Sequence, residues 1–390
     1  MQDSNRNLSR IDQLNLLHQT SADTLMGKLL RSFWQPIAIS DQLSNGTALP
    51  VRIMGEDLTL YRGTSGKPSL VDGRCAHRCT VLHTGWVQGD QIRCMYHGWL
   101  YDGSGQCLEM PAEKGGRPES VRIKAYPVRD YFGLVFAFMG EGSAPEFDLP
   151  RRDVVERPGR HIIPGVQVWD CNWFQQIENS MDSAHIGFAH TWGAVSRFQE
   201  EISTAVPDLE YSETSSGIRQ TATRSKNNVR ISDWTFPNNN HIRSPGPQKG
   251  DPWIDRLVWA VPIDDENTAR FTLTSAPDAD RETNERIAET YKSVLDPAEH
   301  AAELFFKGRI PHPGAQSILA AQDYVAVRGQ GKIVDRSQER LAKTDAGIAF
   351  LRRIFLRELA AIREGRPTKQ WKRPQEAIEL PIQVAEGADH

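Results

Sequence analysis

The apolar positions of this chain change period along its length, and the changes divide it. From Ser21, a residue able to cap a helix, Leu25, Met26, Leu29, Leu30 and Phe33 recur at helical spacing and stop before Pro36. Between about Ile39 and Met139 the period falls to two. Leu58–Tyr61, Ser69–Val71, Gln91–Cys94, Trp99–Tyr101 and Leu134–Phe138 are short apolar runs broken by Gly, Asp and Pro, the spacing of a small antiparallel sandwich or barrel. Asp102-Gly103-Ser104-Gly105 supplies a hairpin turn. Beyond Ser143–Pro150 strands mix with long helices. Asn172 is placed to cap a helix through Trp173, Phe174 and Ile177. Arg256–Ile263, the turn Asp264–Asn267 and Ala269–Thr274 read as a long hairpin. Ile348, Leu351, Phe355, Leu359 and Ile362 stripe a last helix, capped by Thr344 and stopped by Gly365 and Pro367, whose apolar face serves core or subunit contact. Residues 1–20 are polar and expected to be loosely held. Pro237–Pro247 reads as a loop, a candidate flap over a pocket, with His241 a solvated member.

The expected fold is α+β: an N-terminal segment and helix over residues 1–37, a small antiparallel β domain over 38–150, and a larger domain over 151–390 that joins an antiparallel sheet to flanking helices. A length of 390 residues suits two or three domains. A net charge of −4 implies no general polyanion-binding surface, so nucleic acid is not an expected partner. No run of about 18 apolar residues is present, and none follows the N-terminal charges, so no membrane is expected and the cytoplasm is the expected compartment. Five cysteines are an odd count and too sparse for a disulfide framework, which suits a reducing environment where thiolates serve metals.

Two stretches carry candidate chemistry. Cys75-Ala76-His77 is followed, after sixteen residues, by Cys94-Met95-Tyr96-His97-Gly98-Trp99. Two loops that each give a thiolate and an imidazole suit a [2Fe–2S] cluster with two thiolates on one iron and two imidazoles on the other. A structural Cys2His2 zinc site is the rival, although zinc motifs usually pair Cys with Cys and His with His. The second stretch runs from Glu178 to His190. Asp182 and His185, three apart, share a helix face, while His190 falls about 140° from His185 on a straight helix. Both histidines therefore reach one ion only if the helix bends or ends, which Gly187 permits. Two imidazoles and a carboxylate form the face that holds Fe(II) with positions open. Buried, hydrogen-bonded structural histidines are the alternative.

Cys75-Ala-His77 through Cys94-Met-Tyr-His97-Gly98-Trp99-Leu-Tyr101-Asp102, followed by Glu178-Asn179 and Asp182-x-x-His185-x4-His190, resembles the oxygenase (α) component of Rieske non-haem iron oxygenases. The resemblance runs from about Met26 to Trp371 and is nearest the phthalate-dioxygenase-like and aryl-ether-demethylase branch. It implies a Rieske domain followed by a catalytic domain of helix-grip type. The cluster ligands fall on Cys75, His77, Cys94 and His97, the iron histidines on His185 and His190, the bridging aspartate on Asp182, and the third iron ligand on Asp323. Spacing alone does not select Asp323 among 50 acidic residues. The family pattern often has a small residue or glycine at Cys79. That cysteine, like Cys107 and Cys171, is expected to be a free small hydrophobe.

As the resemblance implies, the chain is a terminal oxygenase that activates O2 to hydroxylate an aromatic substrate, an aromatic acid first and a methoxy-aromatic undergoing O-demethylation second. No Gly-rich dinucleotide fingerprint and no plant-type ferredoxin run is present, so electrons come from a separate NAD(P)H-dependent reductase, with or without a ferredoxin. The electron path implied crosses neighbouring subunits, from His97 through Asp182 to His185, and calls for a homotrimer or hexamer. A carboxylate substrate calls for arginine, with Arg197, Arg230 and Arg243 as candidates, and Asn179 and Phe188 flank the iron stretch. An electron carrier without catalytic iron and a zinc-stapled binding protein are the readings from other classes.

Overall fold

The computed structural model describes residues 8–147, 153–190, 206–225, 228–244, 246, 248, 250–292, 295–309, 318–370 and 383–384. It divides into two compact units, Thr20–Asp148 and Met1–Gln19 with Leu149–His390.

The first unit opens on α2 (Leu25–Arg31), which follows α1 (Arg10–Asn15) in the chain. Its cap is Thr24 rather than Ser21: the Thr24 hydroxyl accepts the Gly27 N–H at 3.0 Å and itself donates to the Ser21 carbonyl. Met26, Leu29 and Leu30 are wholly buried, and Arg31 binds Glu56 at 3.0 Å. Three antiparallel sheets follow. Strands β1 (Gln35–Ile39), β10 (Val128–Tyr131) and β11 (Leu134–Ala137) form one, in the order β1-β11-β10. Strands β2 (Thr47–Ile53), β3 (Glu56–Arg62), β4 (Pro68–Asp72) and β9 (Ala125–Tyr126) form the second. Strands β5 (Trp86–Gln88), β6 (Gln91–Arg93), β7 (Leu100–Tyr101) and β8 (Cys107–Glu109) form the third. The expected turn is present. Asp102 Oδ1 accepts the N–H groups of Ser104 and Gln106, and Gly105 closes it at φ +82°. Tyr61, Val71, Leu82, Ile92 and Tyr101 build the core between the sheets, with Cys75, Cys94 and Cys107 at its edge.

The second unit is built on one large antiparallel sheet. Its strands are β12 (Arg160–Trp169), β13 (Asp208–Glu213), β14 (Gly217–Ser225), β15 (Asn228–Thr235), β16 (Asn239–Ser244), β17 (Ile254–Pro262) and β18 (Thr268–Pro277), in the order β12-β18-β17-β16-β15-β14-β13, with β19 (Gln383–Val384) beside β15. The expected long hairpin is β17–β18, paired from Asp255↔Ser275 to Pro262↔Thr268. Helices α3 (Asp153–Glu156), α4 (Trp173–Ser180), α5 (Ile186–Ala189), α6 (Arg281–Lys292), α7 (Leu295–Phe306), α8 (Ile318–Arg328) and α9 (Ala346–Arg363) accompany it. The stripe on α9 turns inward: Phe355 meets Trp173, Phe174, Trp234 and Phe236, with ring centroids 5.0–5.8 Å apart. Asp345, one residue beyond Thr344, is the N-cap residue of α9, and Gly365 ends it at φ +67°.

Three expectations are corrected. The N-terminal piece expected over residues 1–37 is divided between the units, and residues 9–19 are held. Ser9 and Asp12 form a capping box on α1, Leu14 and Leu17 are buried, and the His18 carbonyl accepts from Asn172 Nδ2 at 3.0 Å. The stretch expected as a flap instead contains β16, an interior strand of the sheet. His241, expected in solvent, is 1% exposed with Nε2 2.9 Å from Asp255 Oδ1. Loop-like composition had hidden a strand whose polar side chains find partners on β17. Cys79 is exposed at φ +58° rather than a packed hydrophobe, whereas Cys107 and Cys171 are buried as expected.

Candidate metal centres

The two Cys-His loops share one backbone design. In the first, Cys75 N–H donates to the Thr80 carbonyl and the Cys75 carbonyl accepts from Cys79, both at 2.9 Å. In the second, Cys94 N–H donates to the Trp99 carbonyl at 2.9 Å and the Cys94 carbonyl accepts from Gly98 at 3.1 Å. The fifth residue of each turn is left-handed, Cys79 at φ +58° and Gly98 at φ +76°. Cys79 thus occupies a position that favours glycine. Each loop presents its thiol and its imidazole on one tight turn, and the two turns face one another: the His77 and His97 ring centroids are 4.5 Å apart, with Trp99 stacked on His77 at 4.8 Å.

The donor chemistry fits a cluster. Cys75 and Cys94 are 2% exposed, and burial pushes the Cys75 thiol up, so the thiolate needs a neighbouring cation. Ala76 N–H donates to the Tyr101 hydroxyl oxygen at 3.2 Å, leaving that hydroxyl's proton to point at Cys75 Sγ, 3.3 Å away. His97 Nδ1 is buried with no hydrogen-bond partner, a costly state for a ring nitrogen unless its lone pair meets a metal.

The second centre is gathered from three elements. Helix α4 starts at Asn172, whose side chain accepts the Phe174 N–H at 3.0 Å, and stops at Met181. A turn follows in which Asp182 Oδ1 accepts the N–H groups of Ala184 and His185, at 2.8 and 3.3 Å. His185 stands at the N-cap of the single turn α5 and His190 at its C-cap, so α4 ends before His185 and the two histidines flank one continuous turn, with no break at Gly187. Asp323 comes from α8. One ligand atom from each of His185, His190 and Asp323 lies within 4.8 Å of the others. Asp323 Oδ1 is 3.5 Å from His185 Nε2 and 3.2 Å from His190 Nε2. Adjacent vertices of an octahedron with bonds of about 2.1 Å are about 3 Å apart, so these separations are close to what a facial set of ligands would need.

Neighbours orient each member. Gln322 Oε1, next to Asp323 in sequence, lies 3.1 Å from His190 Nδ1, placed to accept a proton from that nitrogen and so leave Nε2 as the nitrogen facing Asp323. Asp182 Oδ2 stands 3.6 Å from His185 Nδ1. Asn179 Nδ2 donates to Asp323 Oδ1 at 3.3 Å. Burial opposes ionisation of Asp323, yet His190 and His185 hold its carboxyl well below the usual range. Burial alone would lower His185, but Asp182 and Asp323 hold it up at about 9. The same carboxylates attract a metal cation, which competes with that proton.

Long-range contacts fix the elements. Glu178 takes Arg336 at 3.1 Å and Arg352 at 2.6 Å, and Arg352 also grips Glu339 with two nitrogens. Gln175 joins α4 to the Val327 and Gly331 carbonyls and to Val334 N–H. Asp170 binds Tyr324 and Arg328 of α8. Gln220 on β14 donates to the Met181 carbonyl at 2.7 Å and meets Ser183, which places that face of the sheet under the iron stretch.

That inner face holds arginines which periodicity alone did not single out. Residues directly opposite across an antiparallel pair share a face, and faces alternate along a strand. Gln220 and Ala222 place Arg230 on the inner face through Ala222↔Arg230. Trp234↔Asn240, Asn240↔Val258 and Val258↔Thr272 carry the same face across the sheet, and Arg256 and Arg270 lie two residues from Val258 and Thr272. Arg243 points the other way, 3.8 Å from Asp255, which removes it from the candidates near the iron. Arg197 lies outside the described residues. Phe188 is 71% exposed. Asp335, the next acidic residue after Asp323, is exposed and binds Ser337.

Comparison with known proteins gives three findings. The family model of the Rieske [2Fe-2S] domain matches residues 33–127. The chain is 34% identical over 375 residues to the 5,5'-dehydrodivanillate O-demethylase oxygenase subunit of a Sphingobium species, covering 92% of this chain and 82% of that one. Its fold is similar to that of Pseudomonas putida CBB5 NdmA, with a TM-score of 0.65, 19% identity, and 87% and 94% of the two chains covered. It is also similar to a carbazole-bound oxygenase in complex with ferredoxin, of carbazole 1,9a-dioxygenase, at a TM-score of 0.62, 19% identity, and coverage of 87% and 94%.

Proposed function

The chain belongs to the Rieske non-haem iron oxygenases as an oxygenase α subunit, and from that membership we propose that it hydroxylates a small aromatic acid with O2. Electrons come from a separate NAD(P)H-dependent reductase, and a ferredoxin fits that role because a protein of the same fold is known in complex with one. A homotrimer or hexamer in the cytoplasm is the working form. Cys75, His77, Cys94 and His97 would hold the cluster, and His185, His190 and Asp323 the iron. When bound, the cluster supplies electrons one at a time and the iron supplies open positions at which O2 is activated beside the substrate.

The observation that carries this reading is the convergence of His185, His190 and Asp323 within 4.8 Å in a chain that also carries the two Cys-His turns. An electron carrier would have no use for it, and a protein stapled by one zinc at the four Cys-His donors would have no use for it either. The protein's own work is positional. Gln322 holds the proton on His190 Nδ1, Asp182 stands ready to hold that of His185, and Asn179 steadies Asp323.

O-demethylation of a methoxy-aromatic is the second reading, favoured because the relative sharing 34% identity is an O-demethylase subunit. Both are tested by screening aromatic acids and methoxy-aromatics for substrate-stimulated oxygen uptake with a generic reductase. A hydroxylated ring supports the first reading and released formaldehyde the second. No stimulation by any member of the panel overturns both.

A further inference from the structure

The turn that carries Asp182 is clasped from both sides by one side chain of the sheet. Gln220 on β14 is 3% exposed. Its Nε2 donates to the Met181 carbonyl at 2.7 Å and to the Tyr211 hydroxyl oxygen at 3.2 Å, and its Oε1 accepts from the Ser183 hydroxyl. Met181 and Ser183 are the residues immediately before and after Asp182. Tyr211 lies directly opposite Gln220 across β13 and β14, and its hydroxyl donates to the same Met181 carbonyl at 3.2 Å. Helix α9 backs the tyrosine: Gly347 packs so closely on its ring that an added side chain would collide with it.

A buried amide costs stability unless its polar atoms are satisfied. The neighbours of Gln220 on the strand's inner face are Ile218 and Ala222, both buried and apolar, so filling that face does not call for an amide. What an amide adds is direction, and here both of its ends are spent on the Asp182 turn.

That turn cannot be placed by Asp182 itself. Asp182 Oδ1 accepts from Ala184 and His185, and Oδ2 stands 3.6 Å from His185 Nδ1, so these side-chain contacts stay within the turn. Asp182 and His185 therefore move as one piece. Where that piece stands decides whether His185 Nε2 meets Asp323 Oδ1, 3.5 Å away on another helix. We propose that Gln220, with Tyr211 beside it, is a positioning residue: it fixes the Asp182–His185 unit against Asp323 and so sets the geometry of the iron's ligand face. This rests on the oxygenase reading for the use of that face, and adds a sheet residue that touches none of the three ligands to the groups that shape it.

The test needs no substrate. Holoprotein is stripped of its lone iron, kept anaerobic and titrated with Fe(II) against a chelator, and the ferrous protein is then exposed to nitric oxide, whose adduct reports ligand geometry by electron paramagnetic resonance. Loss of a group that orients a ligand costs about 10–100-fold in metal affinity, so Gln220→Leu should weaken Fe(II) binding by about 10-fold and shift the nitric oxide spectrum, with the cluster absorbance unchanged. Ser183→Ala and Tyr211→Phe, which each remove one part of the clasp, should shift both readouts the same way by less. Thr268→Val strips a buried hydrogen bond of the same unit, 2.7 Å to the Cys171 carbonyl, and should lower the urea midpoint while leaving both readouts alone. Wild-type affinity and spectrum in Gln220→Leu, with only the urea midpoint lowered, would make Gln220 a packing residue and overturn the proposal. Should that variant not fold, wild-type behaviour of both Ser183→Ala and Tyr211→Phe overturns it instead. A wild-type protein that takes up no lone Fe(II) counts against the oxygenase reading itself, whereas a loaded wild type with unaltered variants counts against Gln220 alone.

Discussion

The two candidate metal centres are assembled by opposite means. The cluster loops are local: Cys75 to Thr80 and Cys94 to Trp99 each close on their own backbone, and each delivers two donors from one turn. The triad is distributed. His185 and His190 sit at the ends of a single helical turn, Asp323 arrives 133 residues later on α8, and the pieces are held by Glu178, Gln175, Asp170 and Gln220 reaching across the unit. A local site survives as long as its turns do, whereas a distributed one depends on side chains far from the ion.

Ligand removal should give the largest separation. Cys94→Ser is expected to abolish the visible chromophore and the labile sulfide. Asp323→Ala is expected to remove the lone iron and all turnover while the cluster spectrum stays intact. Iron and sulfide analysis with an absorbance scan checks both, and full iron and activity in Asp323→Ala would overturn the third ligand.

Next in size is the remote anchor. Glu178→Ala strands the buried Arg336 guanidinium and takes from Arg352 one of its two carboxylate partners, and removing one partner of a buried ion pair costs about 3–5 kcal/mol. Urea unfolding should show that loss in the unit carrying the triad, together with loose iron, while the cluster absorbance bleaches at the wild-type midpoint. Coincident shifts in both signals would break the comparison.

A smaller change tests orientation. Asp182→Asn keeps shape but replaces an acceptor oxygen with a donor, and changes of this kind beside a ligand cost about 10–100-fold. Both metals and normal reduction by dithionite are expected, with cluster reoxidation slowed by that factor in single-turnover mixing with substrate and O2. Reoxidation at the wild-type rate would leave Asp182 as a cap for Ala184 and His185 alone.

The smallest effect lies where β13 meets α9. Hydrogen bonds from Arg357, opposed by partial burial and joined by Lys369, push the Glu213 carboxyl down to about 2. A depressed carboxyl stabilises above its ordinary value of 4.5, and the contribution fades as pH falls from there towards 2. The pair is part-exposed, so it is worth about 1 kcal/mol or less. Glu213→Gln should lower the urea midpoint of the triad's unit slightly at pH 7, with the difference shrinking on acidification. A difference that grows towards acid would contradict the assignment.

What was legible in the sequence follows the same divide. Cys75, His77, Cys94 and His97 stand within turns whose hydrogen bonds run between residues four and five apart, so their spacing already carries the geometry. The five-residue interval of His185 and His190 fits no straight helix around one ion, so an irregularity was legible, but its place was not: α4 ends before His185 and α5 ends at His190, with no break at Gly187. Short apolar runs marked β3, β4, β6, β7 and β11 but left the other strands of the first unit unmarked, and the β17–β18 hairpin announced itself through its turn. Asp323 was reachable only through resemblance, because nothing local distinguishes it from the other acidic residues. The strand β16 escaped detection because its polar side chains look like a loop until β17 supplies partners such as Asp255 for His241. Which arginines face the iron was not legible at all. That depends on register carried strand by strand from β14 to β18, and a slip of one residue at any pairing would have sent Arg230, Arg256 and Arg270 to the outer face.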